Sequence, residues 1–136
     1  MEYKRTYIIN GSKFLSLEEF SQHFSEVVLN NYRWHGNLDA FNDIFRGGFG
    51  TPKGGFVLRW ENSDLSRERL GYSETAKWLE ERITKCHPSN VPHFEKRQGE
   101  AKQEKGETLF DMLIEIIRTH GIGGEEAEDG VELILI

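Results

Sequence analysis

The sequence predicts an α/β domain: a three-stranded parallel sheet covered by helices, with an additional helical insertion. Two observations carry this prediction. First, three short apolar, β-branched runs read as strands: Thr6-Tyr7-Ile8-Ile9, Phe56-Val57-Leu58-Arg59-Trp60 and Val131-Glu132-Leu133-Ile134-Leu135-Ile136. Second, the stretches between them carry apolar residues at helical spacing, and strands joined through helices are linked by right-handed crossovers into a parallel sheet. The chain has 136 residues and a mass of 15.8 kDa, the size of one domain. At that mass a fold exposes roughly 7,000 Å² against about 23,000 Å² for the extended chain, so one core suffices without staples.

In order along the chain, MEYKRTYIING is too short for a signal sequence and reads as the first strand, closed by the turn pair Asn10-Gly11. Ser16-Leu17-Glu18-Glu19 has capping-box spacing, with hydroxyl and carboxylate each satisfying an orphan backbone donor. Leu17, Phe20, Phe24, Val27 and Val28 follow at helical spacing. After the aromatic and basic loop Tyr32-Arg33-Trp34-His35-Gly36, Asn37 is the N-cap of a second helix with apolar stripe Leu38, Phe41, Ile44 and Phe45, ending at Gly47-Gly48. A glycine-rich loop then leads to the second strand, apolar enough to be buried on both faces. Ser63 caps a short helix over Asp64–Leu70, stopped by Gly71. Ser73 starts another, with Trp78, Leu79, Ile83 and Cys86 on one face, before Pro88 and Pro92 interrupt. Residues 95–107 hold no apolar side chain larger than alanine and read as a solvated helix or linker. Leu109, Phe110, Met112, Leu113, Ile116 and Ile117 form a last helix, ending at His120-Gly121. An acidic, glycine-rich loop leads to the terminal strand.

Composition narrows the function classes. The formal charge is −6, and the last sixteen residues hold five acids and no base. Such a chain is repelled by phosphate backbones, so direct nucleic-acid binding is disfavoured and a basic protein partner favoured. No apolar run is long enough to span a membrane. The single cysteine, Cys86, excludes an internal disulfide and suits a reducing, cytoplasmic setting.

The residues that could carry chemistry are few. The glycine loop lacks the strand–loop–helix order of a phosphate cradle, and Lys53 is followed by Gly54. Cys86, His87 and His93, with His120 more distant, match no zinc spacing; the reading calls for no metal and no cofactor. Asp39 and Asp43 lie one helical turn apart on one exposed face, with Asn42 beside them. Like charges at that spacing cost a helix roughly 0.2–0.5 kcal/mol. The helix dipole offsets this for Asp39, but Asp43 lies a turn further in. A solvated face, an acid–base pair and a binding surface all remain open at this point.

The run Trp34-His35-Gly36-Asn37-Leu38-Asp39-Ala40-Phe41-Asn42-Asp43 resembles the barstar family of ribonuclease inhibitors. Ile9-Asn10-Gly11, the capped helix from Ser16, the strand Val57-Leu58-Arg59-Trp60, the terminal helix and the hydrophobic last strand follow in the family's order. The resemblance covers 5–71 and 106–136 of a single domain spanning 1–136, with 72–105 as the insertion. It implies a protein that acts by binding, without catalysis, by plugging the active site of a small basic ribonuclease or related toxin nuclease. Residue by residue it implies partner contacts at Gly36, Asn37, Leu38, Asp39, Asn42 and Asp43, an aromatic contact from Tyr32 or Trp34, and a supporting acid at Glu115. Asp43 takes the place of the carboxylate that fills the enzyme's phosphate site. The chain departs from the family pattern in joining Gly36 directly to Asn37, in carrying Asn42 at a tryptophan position, and in flanking the acids with Arg33 and Arg46. The expected function is thus a cytoplasmic, immunity-type inhibitor, monomeric when free. A barstar-like module for a non-ribonuclease partner is the alternative, and an enzyme using the acid pair is a third reading.

Overall fold

A computed structural model describes residues 4–30 and 32–136. Met1–Tyr3, the start of the predicted first strand, lie outside the described residues. Three strands, β1 (Thr6–Asn10), β2 (Val57–Glu61) and β3 (Glu132–Leu135), form one sheet in the order β1-β2-β3 with every neighbour parallel. Six helices accompany them: α1 (Leu17–Val28), α2 (Leu38–Ile44), α3 (Ser63–Arg69), α4 (Tyr72–Lys85), α5 (Val91–Lys102) and α6 (Leu109–Thr119).

The register explains which face of the sheet is buried. Tyr7 aligns with Leu58 and Leu133, and Ile9 with Trp60 and Leu135, so these six side chains share one face and meet the core. The residues between them, Ile8, Arg59 and Ile134, align on the other face, where Ile8 is 49% exposed. The expectation that β2 is buried on both faces is therefore wrong. Two successive right-handed crossovers between sequential strands place the connecting helices on one side, and among the described residues the other side is left open. Arg59 instead pairs with Glu61 along its own strand at 3.1 Å.

The core on the covered side is aromatic. Trp60 stacks on Phe20 (centroids 5.2 Å apart) and meets Phe110 edge-on at 5.3 Å, joining β2 to α1 and α6. Phe24, Phe41 and Phe45 extend this packing to α2. Edge-to-face and offset contacts of this kind each contribute about 0.5–1.5 kcal/mol beyond area burial.

Several helix ends follow local rules. Ser16 accepts from the Glu19 amide, and Thr108 and Asp111 form a reciprocal capping box at the start of α6. The starts of α3, α4 and α5 carry no side-chain cap, and α4 begins at Tyr72 behind Gly71, not at Ser73. Ser63 is the first residue of α3, not its cap, and donates its hydroxyl to the Ile136 carbonyl; the cap position falls to Asn62 in the left-handed conformation. The stretch read as solvated helix or linker is largely α5, which packs against α4 as a helical hairpin. That hairpin is fastened to the core: the Leu109 amide donates to the buried Thr75 hydroxyl at 2.8 Å, and Leu79 is buried. No helix of the described residues is long and apolar enough to cross a membrane.

Candidate functional site

The segment Tyr32–Asp43 is built on Ser25 of α1. The Ser25 hydroxyl accepts from the Trp34 amide at 2.9 Å and donates to the Ser21 carbonyl at 2.7 Å, which pins the loop to α1. The Trp34 indole donates to the Asn37 carbonyl at 2.8 Å and stacks on Phe41 at 4.6 Å. Trp34 is 3% exposed, so it is a core residue, its ring packed among Phe20, Phe24 and Phe41. Of the two aromatics in this loop Tyr32 is the exposed one, at 53%, and it packs edge-on against half-buried Phe49. Arg33 folds back on the same loop. Its guanidinium donates to the Trp34 carbonyl at 3.0 Å.

Gly36 turns the loop into α2 at φ +94°, a conformation that favours glycine. Asn37 then caps α2, accepting from the Ala40 amide at 3.0 Å. Phe41 and Ile44 are buried beneath the helix, Leu38 is half-buried, and Asp39 and Asp43 are exposed on its outer side, as their spacing requires. The Asp39 side chain makes no hydrogen bond or ion pair among the described residues. Glu115 is exposed on α6 and shares a shallow hollow with Leu38, so it lies on the α2 side of that helix.

Asn42 does not stand beside the acids. It is half-buried and turned inward, with its Oδ1 2.7 Å from Nε2 of His120. One turn of helix carries position 42 round to the α6 side, where the fully buried His120 ring, stacked on Phe45, needs polar partners. The other ring nitrogen, Nδ1, lies 2.6 Å from Asp129 Oδ2.

The acidic loop consequently folds against α2. Arg46, just past the helix, donates from Nε and a terminal nitrogen to both oxygens of Glu126, at 2.7 and 3.1 Å. Its remaining terminal nitrogen donates to Asp43 Oδ1 at 2.7 Å. The hydrogen bond from Arg46 holds the Glu126 carboxyl below the usual carboxylate range, and the same contact raises the guanidinium. None of this long-range pairing was legible from local spacing: Glu126 lies 80 residues from Arg46. The run of acids at 125–129 was its only signal.

Among the described residues, one metal-compatible cluster comes together, namely His120, Glu126 and Asp129, with ligand atoms within 4.8 Å of one another. It differs from the Cys86, His87 and His93 set weighed on sequence. His87 instead bonds Ser89 in a turn, and Cys86 caps the end of α4.

The geometry is that of a two-layer α/β protein with one sheet face open and an acid-bearing helix clamped on an aromatic core. A family model described as Barstar (barnase inhibitor) matches residues 4–93, and the chain belongs to the barstar family. The matched span runs from β1 through α4 into α5. It takes in 72–93, which the sequence reading assigned to the insertion, and ends before α6 and β3. A search of curated proteins finds no match.

Proposed function

We propose that this protein is a stoichiometric, immunity-type inhibitor that plugs the active site of a small ribonuclease with the acids of α2. The observation that supports this most directly is the presentation of Asp39 and Asp43. Both carboxylates are exposed on a short helix whose opposite side is locked into the core. A carboxylate imitates a phosphate oxygen pair and accepts strong charge-assisted hydrogen bonds from arginine and lysine. Held on a rigid helix, it loses little entropy when it meets a basic cleft. Tyr32, Gly36, Asn37 and Leu38 lead into the acids along the chain, and Glu115 of α6 shares the hollow beside Leu38. On this reading the chain acts without catalysis, in the cytoplasm, and is monomeric when free.

The test is titration of the purified protein into barnase and a panel of small microbial ribonucleases. A 1:1 endpoint is expected, weakened by more than ~2 kcal/mol in Asp43→Ala as for a buried charged hot spot. A loss of only a few tenths with Asp43→Ala would remove this residue from the plug. A second reading, a module for a non-ribonuclease partner, is favoured by one feature. Arg46 already occupies part of Asp43. Capture of a specific partner devoid of ribonuclease activity, with no inhibition across the panel, would establish it.

A further inference from the structure

The two acids of α2 are not equivalent. Asp39 is unengaged, whereas Asp43 Oδ1 accepts from Arg46 and its Oδ2 has no protein donor among the described residues. Arg46 is itself held more firmly on its other side, by the two parallel hydrogen bonds to Glu126. Glu126 is in turn fixed. Its amide donates to the Thr119 carbonyl at 2.9 Å, and the loop that follows is tied through Asp129 and His120 to Asn42 of α2. A guanidinium held as a fork by one carboxylate has one edge left to offer another. Asp43 can therefore be released by breaking one hydrogen bond, while Arg46 stays on Glu126.

Resting on the inhibitor reading, we propose that Arg46, anchored by Glu126, is a specificity gate on Asp43. It covers one oxygen of the carboxylate and leaves the other open. A partner that approaches Asp43 with a single-point donor, a lysine ammonium or one edge of an arginine, binds without disturbing the gate. A partner that needs both oxygens for an arginine fork must first displace Arg46, and is disfavoured. Glu126 is a positioning residue in this arrangement. Without it, the freed guanidinium closes on both oxygens of Asp43.

The gate predicts effects of opposite sign for two neighbouring charges, which a merely structural role would not produce. Against barnase and a panel of small microbial ribonucleases, Arg46→Ala is expected to tighten binding about tenfold for enzymes that engage Asp43 with arginine. Glu126→Gln is expected to weaken it by a similar factor. The gain from Arg46→Ala must vanish in an Asp43→Asn background. It must also persist at about 0.5 M salt, where the screening length is near ~4 Å and distant charges no longer act. Wild-type inhibition that is unchanged or weakened by Arg46→Ala overturns the gate and leaves the inhibitor reading standing. A gain that survives in Asp43→Asn or disappears in salt makes Arg46 a remote charge and likewise overturns it. Inhibition of no enzyme by any variant overturns the inhibitor reading, and the gate with it.

Discussion

Tyr32 and Trp34 lie two positions apart in one loop and end in opposite environments, because one hydroxyl decides between them. Ser25 draws the Trp34 backbone against α1, and the indole follows into the core while Tyr32 stays outside. A similar single contact governs His23. Its Nε2 accepts from the Asn10 amide at 3.0 Å, a role open only to the neutral ring. Burial pushes this imidazole below its ordinary value of 6.5; nearby Glu26 opposes the shift and Lys13 adds to it. The unfolded chain therefore takes up this proton first as pH falls. Stability is expected to decline from about pH 6.5 downward through the lowered pKa of His23, and to be complete above that window. Denaturation curves across that range should be flatter for His23→Gln than for the wild type. Equal slopes would show that the imidazole contributes nothing to the pH dependence.

At the scale of the element, α2 has only seven residues and cannot stand alone. Its cap and its buried face hold it, and Asn37 serves both ends of that arrangement. The side chain caps the helix, while its carbonyl accepts from the Trp34 indole and the Phe41 amide. Asn37→Ala removes only the side-chain contact and is expected to cost about 1 kcal/mol in chemical denaturation. Asn37→Asp should recover most of that loss, since a carboxylate also caps. The capping signals at Ser16 and Asn37 were readable because a cap is a short-range bargain between a side chain and the next turn. The start of α3 was misread for the complementary reason. Ser63 looks like a cap by type, but the carbonyl of Ile136 claims its hydroxyl.

The whole molecule sets a different contrast, between the two faces of the sheet. Ile8 and Ile9 are chemically identical neighbours in β1, one on the open face and one fully buried. Ile9→Ala is expected to cost 2–5 kcal/mol by transfer and cavity formation together. Ile8→Thr should stay within about 0.5 kcal/mol. Comparable losses at both positions would mean that the outer face is covered. Closure of the fold also depends on two glycines far apart in sequence. A Cβ on Gly55 would lie 2.1 Å from the Gly130 carbonyl oxygen, and Gly55 has φ +101°. Gly55→Ala is therefore expected to destabilise by more than ~2 kcal/mol, through steric conflict between the loop before β2 and the one before β3.

Strand identity, helix periodicity, the caps at Ser16 and Asn37 and the exposed acid pair were all determined by the sequence itself. They depend on residues within a turn or two of each other, where spacing and side-chain type suffice. The parallel pairing of the strands followed from the same information, because strands joined through helices run the same way, whereas their order β1-β2-β3 came from the structure. Only the tertiary structure decided that Trp34 packs inward, that β2 buries one face, and that Asn42 turns to His120. The pairing of Arg46 with Glu126 belongs with these. Each hinges on a partner brought close by folding from a distant part of the chain, and neither the charge nor the hydrophobicity of a residue says which distant group will reach it first.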